Sequence, residues 1–188
     1  FMTMVKTHLR ATLALLAMSS VAASSVALSA CSKDPYDPQT WIEKLGEASE
    51  VEEALTTLER LKCPEAIKPL GKFWEKHNKS SRVLRAIISL ADQPDMKKGH
   101  PKFPNGDCKD AGEGPYWEDA IPFLITAVED FDVTDDQEIQ DAAVAAEALG
   151  KAKSKDAIQV LISAATKQEK LKQRQMVRIA AVRALGGF

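Results

Sequence analysis

"DAIPFL" at residues 119–124 and "DAIQVL" at residues 156–161 are nearly one phrase, written twice 37 positions apart. A third version, "EAIKPL", stands at 65–70. Each has an acidic residue, then Ala-Ile, then Leu three positions on, and each leads into a second apolar-periodic segment. The last two of those segments end alike, "AAEALG" at 145–150 and "AVRALG" at 181–186, 36 positions apart. Two independent landmarks with nearly one spacing mark a stacked repeat.

Each unit reads as a helix pair. In the first helices Ile121, Leu124, Ile125 and Val128 recur at steps of three and four, as do Ile158, Leu161, Ile162 and Ala165. In the second helices Ile139, Ala142, Ala146 and Leu149 do the same, as do Val83, Ile87 and Leu90. Gly150 and Gly186 fall where a helix closes on a left-handed residue. Pro64 suits a first helical position and Pro122 an opening turn, whereas Pro69 lies deeper and is expected to bend its helix. "EVEEALTTLERL" at 50–61 echoes "EIQDAAVAAEAL" at 138–149, but the helix before it, near Thr40–Leu45, is short, as suits a terminal unit with a solvated outer face. One stretch breaks the period: residues 93–117, rich in Gly and Pro, carry about 17 extra positions and form a long inserted loop of the kind that is functional or disordered.

The phrases "DAIPFL", "DAIQVL", "AAEALG" and "AVRALG" resemble the HEAT-like repeats of bacterial proteins over about residues 39–186. The resemblance implies an all-α, right-handed α-solenoid of about four helix pairs, which presents an extended surface to a partner. Phe188 ends the sequence just after a helix that lacks its next partner, so the domain at 39–188 is expected to continue in the full protein.

The N-terminal thirty residues have another character. Lys6, His8 and Arg10 form a positive head, no Asp or Glu precedes Cys31, and Ala11–Leu28 carry no charge. That is the layout of a secretory signal, too diluted by serine for a spanning helix of about 20 apolar residues. Leu28-Ser29-Ala30-Cys31 resembles the lipobox of bacterial lipoproteins. In that family the signal, here residues 1–30, is removed and the cysteine is acylated, which anchors the mature chain through more than one acyl chain. A Ser rather than an Asp at position 32 favours, by the same resemblance, the periplasmic face of the outer membrane. Residues 31–38 then form a short tether; Phe1 is not a start residue, so translation is expected to begin at Met2 or Met4.

Without the signal the 25 Lys and Arg fall to 23 against 27 Asp and Glu, a net charge near −4 that gives no reason to expect nucleic acid. The partners expected are a protein of the cell envelope and the lipid bilayer, reached through acylated Cys31. Two cysteines remain, in an oxidising compartment. Cys63 lies in the connection between the first and second units and Cys108 in the enlarged one between the second and third. Such connections line one edge of an array, so the two are expected to pair; the alternative is two free thiols.

Chemistry is hard to find. His100, Asp107, Asp110 and Glu113 share the inserted loop, but they lack the spacing of a calcium loop and no second histidine lies near for a transition metal. Some HEAT-like families are bilin lyases or iron hydroxylases with His-Glu ligands; here none of His8, His77 and His100 precedes Glu, and a lipobox exports the chain from the pigment-bearing cytoplasm. No phosphate loop, nucleophile elbow or Ser/His/Asp set is present. Trp41, Trp74 and Trp117 read as core or cap residues, Lys97 and Lys98 as a solvated loop tip, and "KQEKLKQRQ" at 167–175 as an exposed turn and helix start. The leading expectation is therefore a membrane-anchored, non-enzymatic binding scaffold with no catalytic residue, cofactor or metal. The competing class is an enzyme or a cofactor or metal carrier that uses the 93–117 loop. In HEAT-like arrays the second helices line the concave side and are expected here to form the partner-binding face, their outward residues running basic, acidic, basic: Arg82 and Arg85, then Glu138, Asp141 and Glu147, then Arg174, Arg178 and Arg183.

Overall fold

Apolar side chains at three- and four-residue steps can be buried only if each helix turns that stripe inward, and eight α-helices do so among the described residues. A computed structural model describes residues 35–93, 108, 115–166 and 174–188. The helices are α1 Pro38–Lys44, α2 Val51–Leu61, α3 Ile67–Lys76, α4 Ser81–Ala91, α5 Trp117–Glu129, α6 Asp136–Ala152, α7 Lys155–Thr166 and α8 Arg174–Leu185. All belong to one unit, Lys33–Phe188. The expected all-α class is thus the fold observed. Residues 1–30, expected to be a signal, and Cys31 lie outside the described residues, as does the inserted loop apart from its two ends and Cys108.

Consecutive helices pack as pairs, α1 on α2, α3 on α4, α5 on α6 and α7 on α8. Between pairs the contacts alternate. The first helices α3, α5 and α7 touch in series, and so do the second helices α2, α4, α6 and α8; α6 against α8 is the most extensive contact of all. One continuous core results. Leu55, Leu58, Leu61, Ile67, Leu70 and Trp74 fill it at one end, and Leu84, Ile87, Leu90, Leu124, Leu149 and Leu161 carry it to the other. Burial of each such side chain contributes about 1.5–3 kcal/mol.

Local chemistry sets the helix ends. Asp37 caps α1 by accepting the Gln39 N–H at 3.0 Å, with Pro38 at the first helical position. Asp135 caps α6 by accepting from the N–H groups of Gln137 and Glu138 at 2.7 and 3.2 Å. The prolines depart from expectation in opposite directions. Pro69 cannot donate to the preceding turn, and the segment accommodates it by opening as a 3₁₀ turn, Pro64–Ala66, with the α-helix starting only at Ile67. Pro69 therefore sits in an opening turn after all. Pro122 lies deeper, because α5 already begins at Trp117, one turn earlier.

The glycines were also misplaced by sequence. Gly150 is inside α6 and buried; the left-handed cap is Lys153, at φ 51°. A Cβ on Gly150 would lie 2.7 Å from the Cα of Ala184, so this glycine exists to let α8 approach. Gly186 follows the last residue of α8 without a left-handed φ.

Candidate interaction surface

The disulfide expected between Cys63 and Cys108 is formed, with Cα atoms 5.4 Å apart. Cys63 is held rigidly because it is buried between α2 and the 3₁₀ turn, while Cys108 packs half-buried on the core. The inserted segment leaves and returns at one point: the Tyr116 N–H donates to the Ala91 carbonyl at 2.9 Å. Its base is thus stitched to α4 and its middle is pinned to Cys63.

Along the second helices, the eight charged residues expected to face outward do not form one stripe. Arg82 is exposed but clipped to α2, with Nε 3.0 Å from Glu52, Nη2 3.6 Å from Glu59 and a hydrogen bond to the Thr56 hydroxyl at 2.8 Å. Glu138 is half-buried and closes the loop before α6, accepting the Asp132 N–H at 2.7 Å. Asp141 is 5% exposed, not outward. Its carboxylate accepts from the Ser81 hydroxyl of α4 and from Gln137 at 3.3 Å, which makes it a tie between α4 and α6. Arg174 is half-buried with its guanidinium 5.3 Å from the Phe131 ring. Arg85, Glu147, Arg178 and Arg183 are exposed as expected, and none is ion-paired among the described residues.

The sequence held a clue to Asp141. Asp141, Ala145 and Ala148 lie on one row of α6, and both alanines are buried. A stripe drawn only through Ile139, Ala142, Ala146 and Leu149 omits that row.

Two shifted titrations belong to this polar framework. The Asp132 carboxyl lies below its ordinary value because it accepts the backbone N–H and then the hydroxyl of Thr134, at 2.8 and 2.7 Å. Lys44 is raised chiefly by its hydrogen bond to Glu50, 2.9 Å away, and its ammonium also lies 4.4 Å from the Trp41 ring. Asp132 is exposed and Lys44 half-buried.

All three tryptophans are buried. Trp74 borders a small cavity with Lys79, Ala127, Asp130, Phe131, Glu138 and Asp141, and its volume of about 10 Å³ suits at most a single water. Among the described residues no group of His, Cys, Asp and Glu is placed to hold a metal; His100, Asp107, Asp110 and Glu113 lie outside them. Nor, among those residues, is any helix long and apolar enough to cross a membrane.

The sequence reading missed an apolar face at the last pair. Met176, Ile179 and Val182 on α8 are 52%, 42% and 57% exposed. Ile162 of α7, assigned by its spacing to a buried stripe, is 40% exposed. Comparison with known proteins finds no matching family model, curated protein or solved structure.

Proposed function

We propose that this chain is a lipid-anchored, non-enzymatic binding scaffold of the bacterial cell envelope, built as a right-handed α-solenoid of HEAT-like helix pairs. The observation that carries the reading is the alternating contact pattern, first helix on first and second on second down the series of pairs. Such an array leaves each pair's outer edges free and spends its interior on packing, which suits recognition better than catalysis. The polar residues that could serve chemistry are spent instead on ties between pairs: Arg82 to α2, Lys68 to Asp119 at 2.9 Å, and Lys151 to Asp92 at 2.8 Å.

The anchor is Cys31, acylated after removal of residues 1–30, on the periplasmic face of the outer membrane. One structural detail shortens its leash. The Trp41 indole N–H donates to the Pro35 carbonyl at 2.8 Å, so the chain is fixed to the helical unit from Pro35 onward. Four residue steps separate Cys31 from Pro35, a reach of at most about 14 Å. The scaffold then works against the bilayer surface, on an envelope protein. Metabolic labelling with a palmitate analogue tests this: label is expected on the wild-type chain and none on Cys31→Ala. Labelling that persists in the variant, or none in either, defeats the anchored reading.

A further inference from the structure

Helices α3 and α6 stand diagonally across the join between the second and third pairs, for each packs on both α4 and α5. The small cavity beside Trp74 belongs to that diagonal. Trp74 of α3 lines it together with Glu138 and Asp141 of α6, while Lys79 and Asp130 border it from the turns after α3 and α5.

Two of these side chains are polar, deeply buried and short of partners. Trp74 is 2% exposed, and its indole Nε1 has no hydrogen-bond partner among the described residues. That N–H is a donor only, and buried donors are rarely left unmet. Asp141 is 5% exposed. Its carboxylate accepts from the Ser81 hydroxyl and, at 3.3 Å, from Gln137, one bond to each oxygen, so both oxygens keep acceptor capacity.

The same atoms narrow what can bridge them. The indole N–H needs an acceptor, which a metal cation or an ammonium group is not. Lys79 already takes the cation's part, its Nζ donating to the Asp130 carbonyl at 2.6 Å and to the Asp130 carboxylate at 2.7 Å. An anion would meet the carboxylates of Asp130, Glu138 and Asp141 at close range, where like charges repel. A volume of about 10 Å³ leaves room for a single small molecule. Water alone is uncharged, small enough and able both to accept and to donate.

We propose that this cavity is a specific site for one ordered water. It accepts from the Trp74 Nε1–H and donates to the Asp141 carboxylate, with Glu138 as the acceptor for its second hydrogen. The water then ties α3 to α6 as the Ser81–Asp141 hydrogen bond ties α4 to α6, so Asp141 gathers both helices of the second pair onto the third. The site rests neither on acylation nor on a protein partner.

Two measurements on the full chain test it. In the isotope-labelled chain in detergent, the Trp74 indole proton should show a rotating-frame Overhauser cross-peak at the water frequency, opposite in sign to chemical exchange. Its signal is the one that Trp74→Phe removes; should that variant not fold, Trp41→Phe and Trp117→Phe assign it by elimination. Ser81→Ala should keep the cross-peak, and its loss there would mean a relay through the hydroxyl, which overturns the proposal. Crystals of the same chain should show one density peak about 2.7–3.2 Å from Trp74 Nε1 and within hydrogen-bond distance of an Asp141 oxygen. No Overhauser peak, no density, or an indole N–H bonded directly to a carboxylate overturns the water site. A peak ringed by oxygens at about 2.3–2.6 Å, lost on adding a chelator, overturns it in favour of calcium.

Discussion

Gly150→Ala isolates the contact that sets the spacing of the last two pairs. The substitution adds one methyl group inside α6, where alanine is favoured over glycine by about 1 kcal/mol. That methyl would lie 2.7 Å from both the Cα and the Cβ of Ala184, whereas carbon atoms settle about 3.5–4.0 Å apart. Roughly 1 Å of relief is needed, and the obstructing atom is backbone. Helix α8 would have to move as a body, against a seam closed by Val177, Ala180, Ala181 and Ala184. Overpacking costs about 1–3 kcal/mol, and the upper half of that range applies where the obstructing atom is backbone, so after the propensity gain the net loss is about 1–2 kcal/mol. In a unit of this size each kcal/mol is worth about 2–4 °C, and thermal melts followed by circular dichroism would resolve it. Gly186→Ala is the control, since its nearest obstruction is the Arg183 carbonyl at 3.4 Å, and it should be close to neutral. Gly71→Ala is intermediate: the Phe123 ring lies 2.2 Å away but is a half-buried side chain that can swing aside. A left-handed cap would accept asparagine, whereas close approach makes Gly150→Asn worse than Gly150→Ala. A Gly150→Ala variant as stable as wild type, or more so, refutes the account.

Four further outcomes are expected. Lys153→Gly should raise stability by about 0.5–1 kcal/mol in urea titrations, because a left-handed cap strains any residue with a Cβ. Asp141→Ala should cost about 1–3 kcal/mol by the same measurement, because it leaves the Ser81 hydroxyl without its acceptor between α4 and α6. Reduction of Cys63–Cys108, or Cys63→Ser with Cys108→Ser, should lower stability by up to about 4 kcal/mol, as the bond closes a separation of 45 residues; thiol titration of the denatured chain before and after reductant checks that the bond is present. Asp132 has a folded pKa below its unfolded value, so its contribution is full above about pH 4 and is lost as pH falls through the lowered value. Melts across that window should show a shallower acid limb for Asp132→Ala.

The repeat phrases determined the helical class and the pairing of segments, because a helix needs its apolar residues at steps of three and four whatever it packs against. Leu124, Val128, Ile139, Leu149, Val83, Ile87 and Leu90 are accordingly buried where the periodicity placed them. The positions of Cys63 and Cys108, in neighbouring connections, pointed to a bond but left two free thiols as the alternative; the bond is a finding of the structure. Tertiary structure decided what periodicity cannot carry: which side of a helix meets a neighbour and how closely. Gly150 looks like a cap until α8 is laid beside it, and Asp141 looks solvated until Ser81 approaches from α4. Ile162 looks buried because the same spacing packs Ile125 against the core, but Ile125 has a further pair beside it and Ile162 has none among the described residues. Sequence spacing specifies the stripe on one helix; exposure is a property of the helix and its neighbours together.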